Sequence, residues 1–235
     1  VETGARSRIT IGQTDITPYW IDADTMVFVR TQGSHPVVVI KELSAGREET
    51  VVAERARFPR VTADGRRLMF NTMMTSRPGW EVAWIDLDRP SEIHRLGPAH
   101  AGARFPSVSP DGSLVAYISG EVGRDEVFLT RLPTGEGKWQ LSTEGGGWTL
   151  FNPRGNEVFY RAPDGGLMSV AISAAQGEVK IGQPRKLFDW GAGWKLFYDI
   201  ARDGQRGVAA VPVGRAVTVS SVSVVQNWQR EFFDR

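Results

Sequence analysis

The side chains in this sequence best suited to chemistry are its carboxylates, and their spacing argues against catalysis. Asp24, Asp64, Asp111 and Asp203 recur, with Arg154 in the fourth of five places, at intervals of 40, 47, 43 and 49 residues. Two carboxylates flanking one bond can act as acid, base or nucleophile in glycoside hydrolysis. One carboxylate per repeat meets a different need. Asp64, Asp111 and Asp203 are each followed by Gly, and Asp-Gly is turn chemistry, because Asp bonds the backbone two residues on and Gly accepts φ > 0. The four aspartates are therefore read as structural turn residues. Asp22, Asp125 and Asp199 lie off the periodic place, and nothing in the sequence pairs them.

Other reactive types are sparse. The three histidines, His35, His94 and His100, form no i, i+4 pair, so no metal site is expected from them. His35 and His100 fall in predicted loops on one face, where a shared site is conceivable. No D-x-D-x-D-G run supports calcium, although a calcium ion at the axis stays open. The G-x-S-x-G, H-E-x-x-H and protein-kinase signatures are absent, and with zero cysteines there is neither a disulfide nor a thiolate zinc site. The expectation is a non-enzyme without a cofactor. Arg57, Arg77, Trp80, Arg104, Arg124, Trp148, Trp190 and Trp194 all fall in or beside loops predicted to emerge on one face. Arg and Trp are the residues enriched at binding hot spots, so this set is the candidate binding surface. Against it stands packing, since Trp148 occupies a periodic aromatic place and Trp80 or Trp190 can cover a seam.

The elements that position these residues follow from residues 103–143. An apolar run reaches Ser109-Pro110-Asp111-Gly112, a strand follows at 114–118, and a polar reversal leads into a strand at 126–132. Pro133-Thr134-Gly135 then turns into a last strand at 138–142. That is four short antiparallel strands joined by tight turns. The intervals above match the ~40–45 residues of a four-stranded propeller blade. Six residues before each turn stand Pro18, Phe58, Phe105, Trp148 and Phe197, and Ala-Arg-Phe-Pro occurs at both 56–59 and 103–106. The second strands read MVFV, LMF, VAYI, VFY and GVAAV, rich in β-branched and aromatic residues.

The fold class expected is an all-β propeller of about five four-stranded blades, six if a further blade is missing. It would be a single domain over 1–235, with units at about 15–54, 55–98, 99–143, 144–190 and 191–226. Unit five lacks a fourth strand, and residues 8–12 resemble an orphan fourth strand. Either they close the ring against 217–226, or they finish a blade whose remainder lies elsewhere. Residues 227–235 read as an amphipathic tail packing on its own domain.

Composition agrees. Of 235 residues, 41% are hydrophobic, with 26 Gly and 13 Pro, as suits a chain that turns every few residues. The formal charge of +1 and the scattered Lys and Arg give no nucleic-acid footprint, and no apolar run reaches the ~18 residues of a membrane span. The start, VETGARSRIT, has neither Met nor a signal-peptide core, so the expectation is a piece of something longer, a processed precursor or a multidomain protein.

VSPDGSLVAYIS followed by GRDEVFLTRLP, GKWQLSTEGG and NEVFYRAPDGGLMSVAI resembles the TolB-like, or WD-repeat-like, propeller repeat. Within it, the stretch 103–172 and the ending SVSVVQNWQREF are similar to the C-terminal extracytoplasmic propeller of bacterial transmembrane serine/threonine protein kinases. The resemblance covers about residues 14–232. Arg154 in place of the turn Asp, Asp24-Thr25 without its Gly, and fewer than six units depart from it. It implies an extracytoplasmic recognition domain, periplasmic or at the cell surface, tethered through a membrane segment N-terminal to this chain. That domain would take a protein, peptide or glycan ligand on its loop face, or associate with itself. A periplasmic TolB-like envelope scaffold and a propeller glycan hydrolase or lyase are the alternative readings.

Overall fold

A computed structural model of the chain describes residues 9–10, 15–32, 35–52, 55–73, 79–97, 100, 102–175, 177–189, 198–200, 206–212 and 220–226, the last two as backbone. Arg77, Trp190, Trp194, Asp203 and the tail at 227–235 lie outside these residues. Of the expected closing strand at 8–12, only Ile9 and Thr10 are described, and they belong to no strand.

The described strands form five antiparallel sheets, one per unit. Blade one is β1 (Asp15–Trp20), β2 (Thr25–Gln32), β3 (His35–Glu42) and β4 (Arg47–Val52), and blade two is β5 (Arg57–Val61), β6 (Arg67–Met73), β7 (Trp80–Asp86) and β8 (Arg89–Arg95). Blade three is β9 (Arg104–Val108), β10 (Leu114–Ser119), β11 (Glu126–Arg131) and β12 (Trp139–Gln140). Blade four holds β13 (Gly147–Phe151), β14 (Glu157–Arg161), β15 (Gly166–Ala175), β16 (Glu178–Ile181) and β17 (Arg185–Asp189), and blade five β18 (Tyr198–Ile200), β19 (Arg206–Pro212) and β20 (Ser220–Gln226).

The second strand of each blade explains the packing. A strand sandwiched between two neighbours buries both faces and reads as a continuous apolar run, and β10 is buried at all six residues. Its side chains divide by period 2. Leu114, Ala116 and Ile118 join Val158, Tyr160 and Phe151 of blade four, while Val115 and Tyr117 join Met69, Val82 and Trp84 of blade two. Leu68 and Phe70 pack likewise with Val27 and Val29 of blade one, and Phe159 and Leu167 meet Tyr198 and Ile200 of blade five. Outer strands are polar or short, which blunts exposed edges. The exposed residues of β4 include Arg47 and Glu49, and β12 has two residues.

The turns between first and second strands repeat with variations. In blade three the Ser109 hydroxyl donates to Asp111 at 2.5 Å and accepts from Leu114 N–H at 2.9 Å, with Gly112 at φ 71°. Thr62 and Asp64 do the same in blade two. In blade four, where Arg154 replaces the aspartate, the amide oxygen of Asn152 accepts from Arg154 N–H at 3.0 Å. Blade one corrects the sequence register. Its turn is one residue shorter, closing from Ile21 N–H to Thr25 C=O where blade two closes from Thr62 to Arg67. Asp22 bonds its N–H groups at Asp24 and Thr25, and Asp24 instead reaches Ser44 in the next turn.

Candidate binding site at the axial mouth

Each of the first four inner strands carries a β-bulge at the same place: between Ile16 and Tyr19, Arg57 and Arg60, Arg104 and Ser107, and Gly147 and Leu150. The bulged residue is left-handed and is not glycine: Thr17 (φ 50°), Phe58 (53°), Phe105 (53°) and Trp148 (52°). Bulky residues rarely adopt φ > 0, and a bulge re-aims the side chain it carries. Here it aims them at one another. Phe105 lies 4.4 Å from Phe58 and 4.3 Å from Trp148 between ring centroids, and Phe58 meets Trp148 edge-on at 5.9 Å. Blades two and four are not neighbours, so the three rings meet at the axis. All three are half-buried. Since β5, β9 and β13 each begin where the chain arrives from the preceding blade, the cluster sits at the mouth of the axis on the loop face.

The backbone at the bulges, having lost its own ladder, is held by the neighbouring blades. Asn71 of blade two donates to Ala103 C=O at 3.1 Å and accepts from Phe105 N–H at 2.7 Å. Thr149 donates to Phe105 C=O, Ser107 accepts from Phe151 N–H, and Tyr198 donates to Trp148 C=O at 2.6 Å. Burial, with a further contribution from Asp199, pushes the Tyr198 phenol above its ordinary value, so it remains a donor.

Around this mouth the arginines take different roles. Arg57 is exposed, and among the described residues it has no ion-pair partner. Arg104 pairs with Asp125. Arg124 donates to Glu126 at 2.6 Å and to Thr143 C=O. Glu126 is fully buried and also accepts from Ser142 and from Gly145 N–H, so Arg124 is fastened to the rim. Trp80 is half-buried at the start of β7, its carbonyl accepting Gly102 N–H. Of the candidate set, Trp148 packs with Phe58 and Phe105, Arg57 and Arg104 precede those two rings in their strands, Arg124 stands on the rim, and Trp80 lies on the seam between blades two and three.

The histidines do not converge. His100 is buried, bonding the Tyr117 hydroxyl at 2.7 Å and Gly135 C=O at 2.8 Å. His94 stacks on Trp84, and His35 meets Arg55. Among the described residues no group of three His, Asp or Glu side chains is placed to hold a metal ion. Asp64 and Asp111 line a cleft of about 690 Å³ on the opposite face, with Arg66, Asp86 and Arg89. Thr62 and the Arg66 N–H hold the Asp64 carboxyl below its ordinary range.

Sequence reasoning missed Phe58, Phe105, Tyr19 and Arg60 as site residues. The first two were seen as packing positions, because the bulge that turns them to the axis leaves no trace in alternation. Trp20, 50% exposed on β1, was also missed.

No protein-family model matches the chain, and no curated protein sequence matches it. Solved structures do. TolB from Acinetobacter baumannii superposes with a TM-score of 0.67 at 18% identity over 92% of this chain and 52% of that one. An oligogalacturonate lyase in complex with manganese gives 0.67 at 15%, over 94% and 65%. The β-propeller domain of the trilobed protease from Pyrococcus furiosus, described as having an open velcro topology, gives 0.57 at 11%, over 91% and 69%. The chain spans about half the length of that TolB. It is a β-propeller, and the arrangement of its four-stranded blades is TolB-like. At these identities the likeness is one of fold, and it carries no kinase association.

Proposed function

We propose that this chain is a non-catalytic recognition domain that takes a protein, peptide or glycan ligand on its loop face. The observation that carries this reading is the half-buried cluster of Phe58, Phe105 and Trp148 at the axial mouth, with the exposed Arg57 beside it. Aromatic rings flanked by arginine combine a large apolar contact with charge-assisted donors. The natural setting is the sensor domain of a bacterial membrane-spanning signalling protein such as a receptor-type serine/threonine kinase, outside the cytoplasm. Likeness in fold to TolB supports an envelope scaffold as the second reading, and likeness to oligogalacturonate lyases supports a glycan hydrolase or lyase.

The test is twofold. The purified chain, incubated with polygalacturonate and other polysaccharides with and without manganese, is expected to give no product. On arrays of peptides and acidic and neutral oligosaccharides it is expected to retain ligands that the Arg57→Ala, Arg104→Ala double variant loses by tenfold or more. Sustained turnover of a polysaccharide would overturn the reading, as would array binding indifferent to that variant.

A further inference from the structure

Next to the aromatic cluster on β5 stands a second, polar group. Arg60 stands two residues beyond the bulged Phe58 on β5. Its guanidinium carbon lies 5.2 Å from the Tyr19 ring centroid of blade one, and the Asp199 carboxylate of blade five favours its charged form. A side chain of blade two that meets blade one and feels a carboxylate of blade five stands on the axial side of its strand. Arg60 is half-buried, and the desolvation of its guanidinium works against its charge, as it does for any cation withdrawn from water.

Such a group gains from hydrogen bonds and a counter-charge, because an unpaired cation drawn even partly out of water is costly. Arg60 has little of either. A guanidinium carries five N–H donors in a planar fork, and the hydrogen bond Arg60 makes among the described residues runs from Nη1 to its neighbour Pro59 C=O at 3.1 Å. No carboxylate of the described residues comes within the 4.0 Å of an ion pair. Asp199 accepts from Ile200 N–H at 2.9 Å instead. One further group shares this condition. The Thr17 hydroxyl, at the bulge of β1, is buried and has no hydrogen-bond partner. A buried hydroxyl without a partner calls for an explanation, and this one stands on blade one at the register of Phe58.

We propose that the axial channel is a binding site for a monocarboxylate, with Arg60 as the charged fork and Thr17 as a second donor. A carboxylate matches the guanidinium bidentately and supplies the missing counter-charge. The nearby Asp199 favours one negative charge over two, so a phosphate dianion is the poorer fit. The chemistry at Arg60 is the same for the carboxylate of a peptide C-terminus and for that of an acidic sugar. The site lies below the loop-face surface proposed above and does not depend on it.

The full chain is titrated calorimetrically, at constant ionic strength, with acetate, N-acetylglycine and D-galacturonate, each against its neutral counterpart acetamide, N-acetylglycinamide or D-galactose, and with inorganic phosphate. Saturable binding of the carboxylates alone is expected, and the tighter of the last two identifies the source as peptide or sugar. Arg60→Gln is expected to weaken the affinity at least tenfold, and Arg60→Lys nearly as much, because a point charge replaces a fork. Thr17→Val should weaken it severalfold while leaving the protein folded. Should Arg60→Gln not fold, the Lys and Val variants decide. Arg47→Ala, on the outer strand of blade one with its side chain 75% exposed, should leave carboxylate affinity unchanged, which separates this site from a general loss of surface charge. Equal behaviour of acids and neutral counterparts, phosphate binding tighter than every carboxylate, or affinity unchanged in the Arg60 variants would overturn the proposal.

Discussion

Phe105 shows how a single backbone angle links sequence to site. Its φ of 53° costs ~1–2 kcal/mol for a residue with a Cβ, and it persists because Asn71 and Thr149 hold its N–H and C=O while its ring packs between Phe58 and Trp148. Replacing it by alanine removes the ring and keeps the strain, whereas glycine removes both. In an ordinary strand glycine is less stable than alanine by ~0.5–1 kcal/mol. At Phe105 the order should invert, with Phe105→Gly more stable than Phe105→Ala by about 1 kcal/mol in urea unfolding. The usual order would mean that the left-handed conformation is not held in solution.

At the scale of the element, blade one is tied by a charged ladder. Arg30 on β2 bonds both oxygens of Asp15 on β1, at 2.8 and 2.9 Å, and Glu48 on β4 at 2.6 Å, while Lys41 on β3 reaches Glu48 at 3.0 Å. The hydrogen bond from Arg30, then that from Lys41, holds the Glu48 carboxyl below its ordinary value. The folded chain therefore binds this proton less readily than the unfolded one, and the stabilisation is complete above ~4.3 and lost as pH falls through the folded value. Urea midpoints measured from pH 7 down to pH 3 should fall less steeply for Glu48→Gln than for the parent. Parallel slopes would leave Glu48 without a role in acid stability. Elements of this kind were only partly legible in the sequence. The four-strand units could be read because turn residues and apolar second strands recur, while the 49-residue interval from Arg154 to Asp203 is longer than a plain blade needs. Its content was not readable. The excess accommodates β16, which pairs with the far end of β15 while β17 takes the blade's fourth position, and GEVKI alternates like any other strand. In blade one the lost glycine shortened the turn, and aligning on Asp24 placed Pro18 where Thr17 belongs.

Across the whole molecule, what makes five sheets a site is the curvature that brings their inner strands to one line. In blades two and four the third residue beyond the bulge is covered, as Val61 and Phe151 are at 7% and 5% exposed; Trp20 of blade one, at the same register, is 50% exposed. The first inner strand thus presents apolar surface on the flank away from blade two. Curvature itself predicts energetic coupling between blades that share no edge. Phe58 and Trp148 belong to blades two and four and meet edge-on at 5.9 Å, a geometry worth ~0.5–1.5 kcal/mol beyond area burial. A double-mutant cycle on Phe58→Leu and Trp148→Leu, read by urea unfolding, is the most direct measurement. A coupling of ~0.5–1.5 kcal/mol is expected if the blades bend around one axis and gather the aromatic cluster at its mouth. Additivity to within ~0.3 kcal/mol, the behaviour of distant and independent sites, would contradict both.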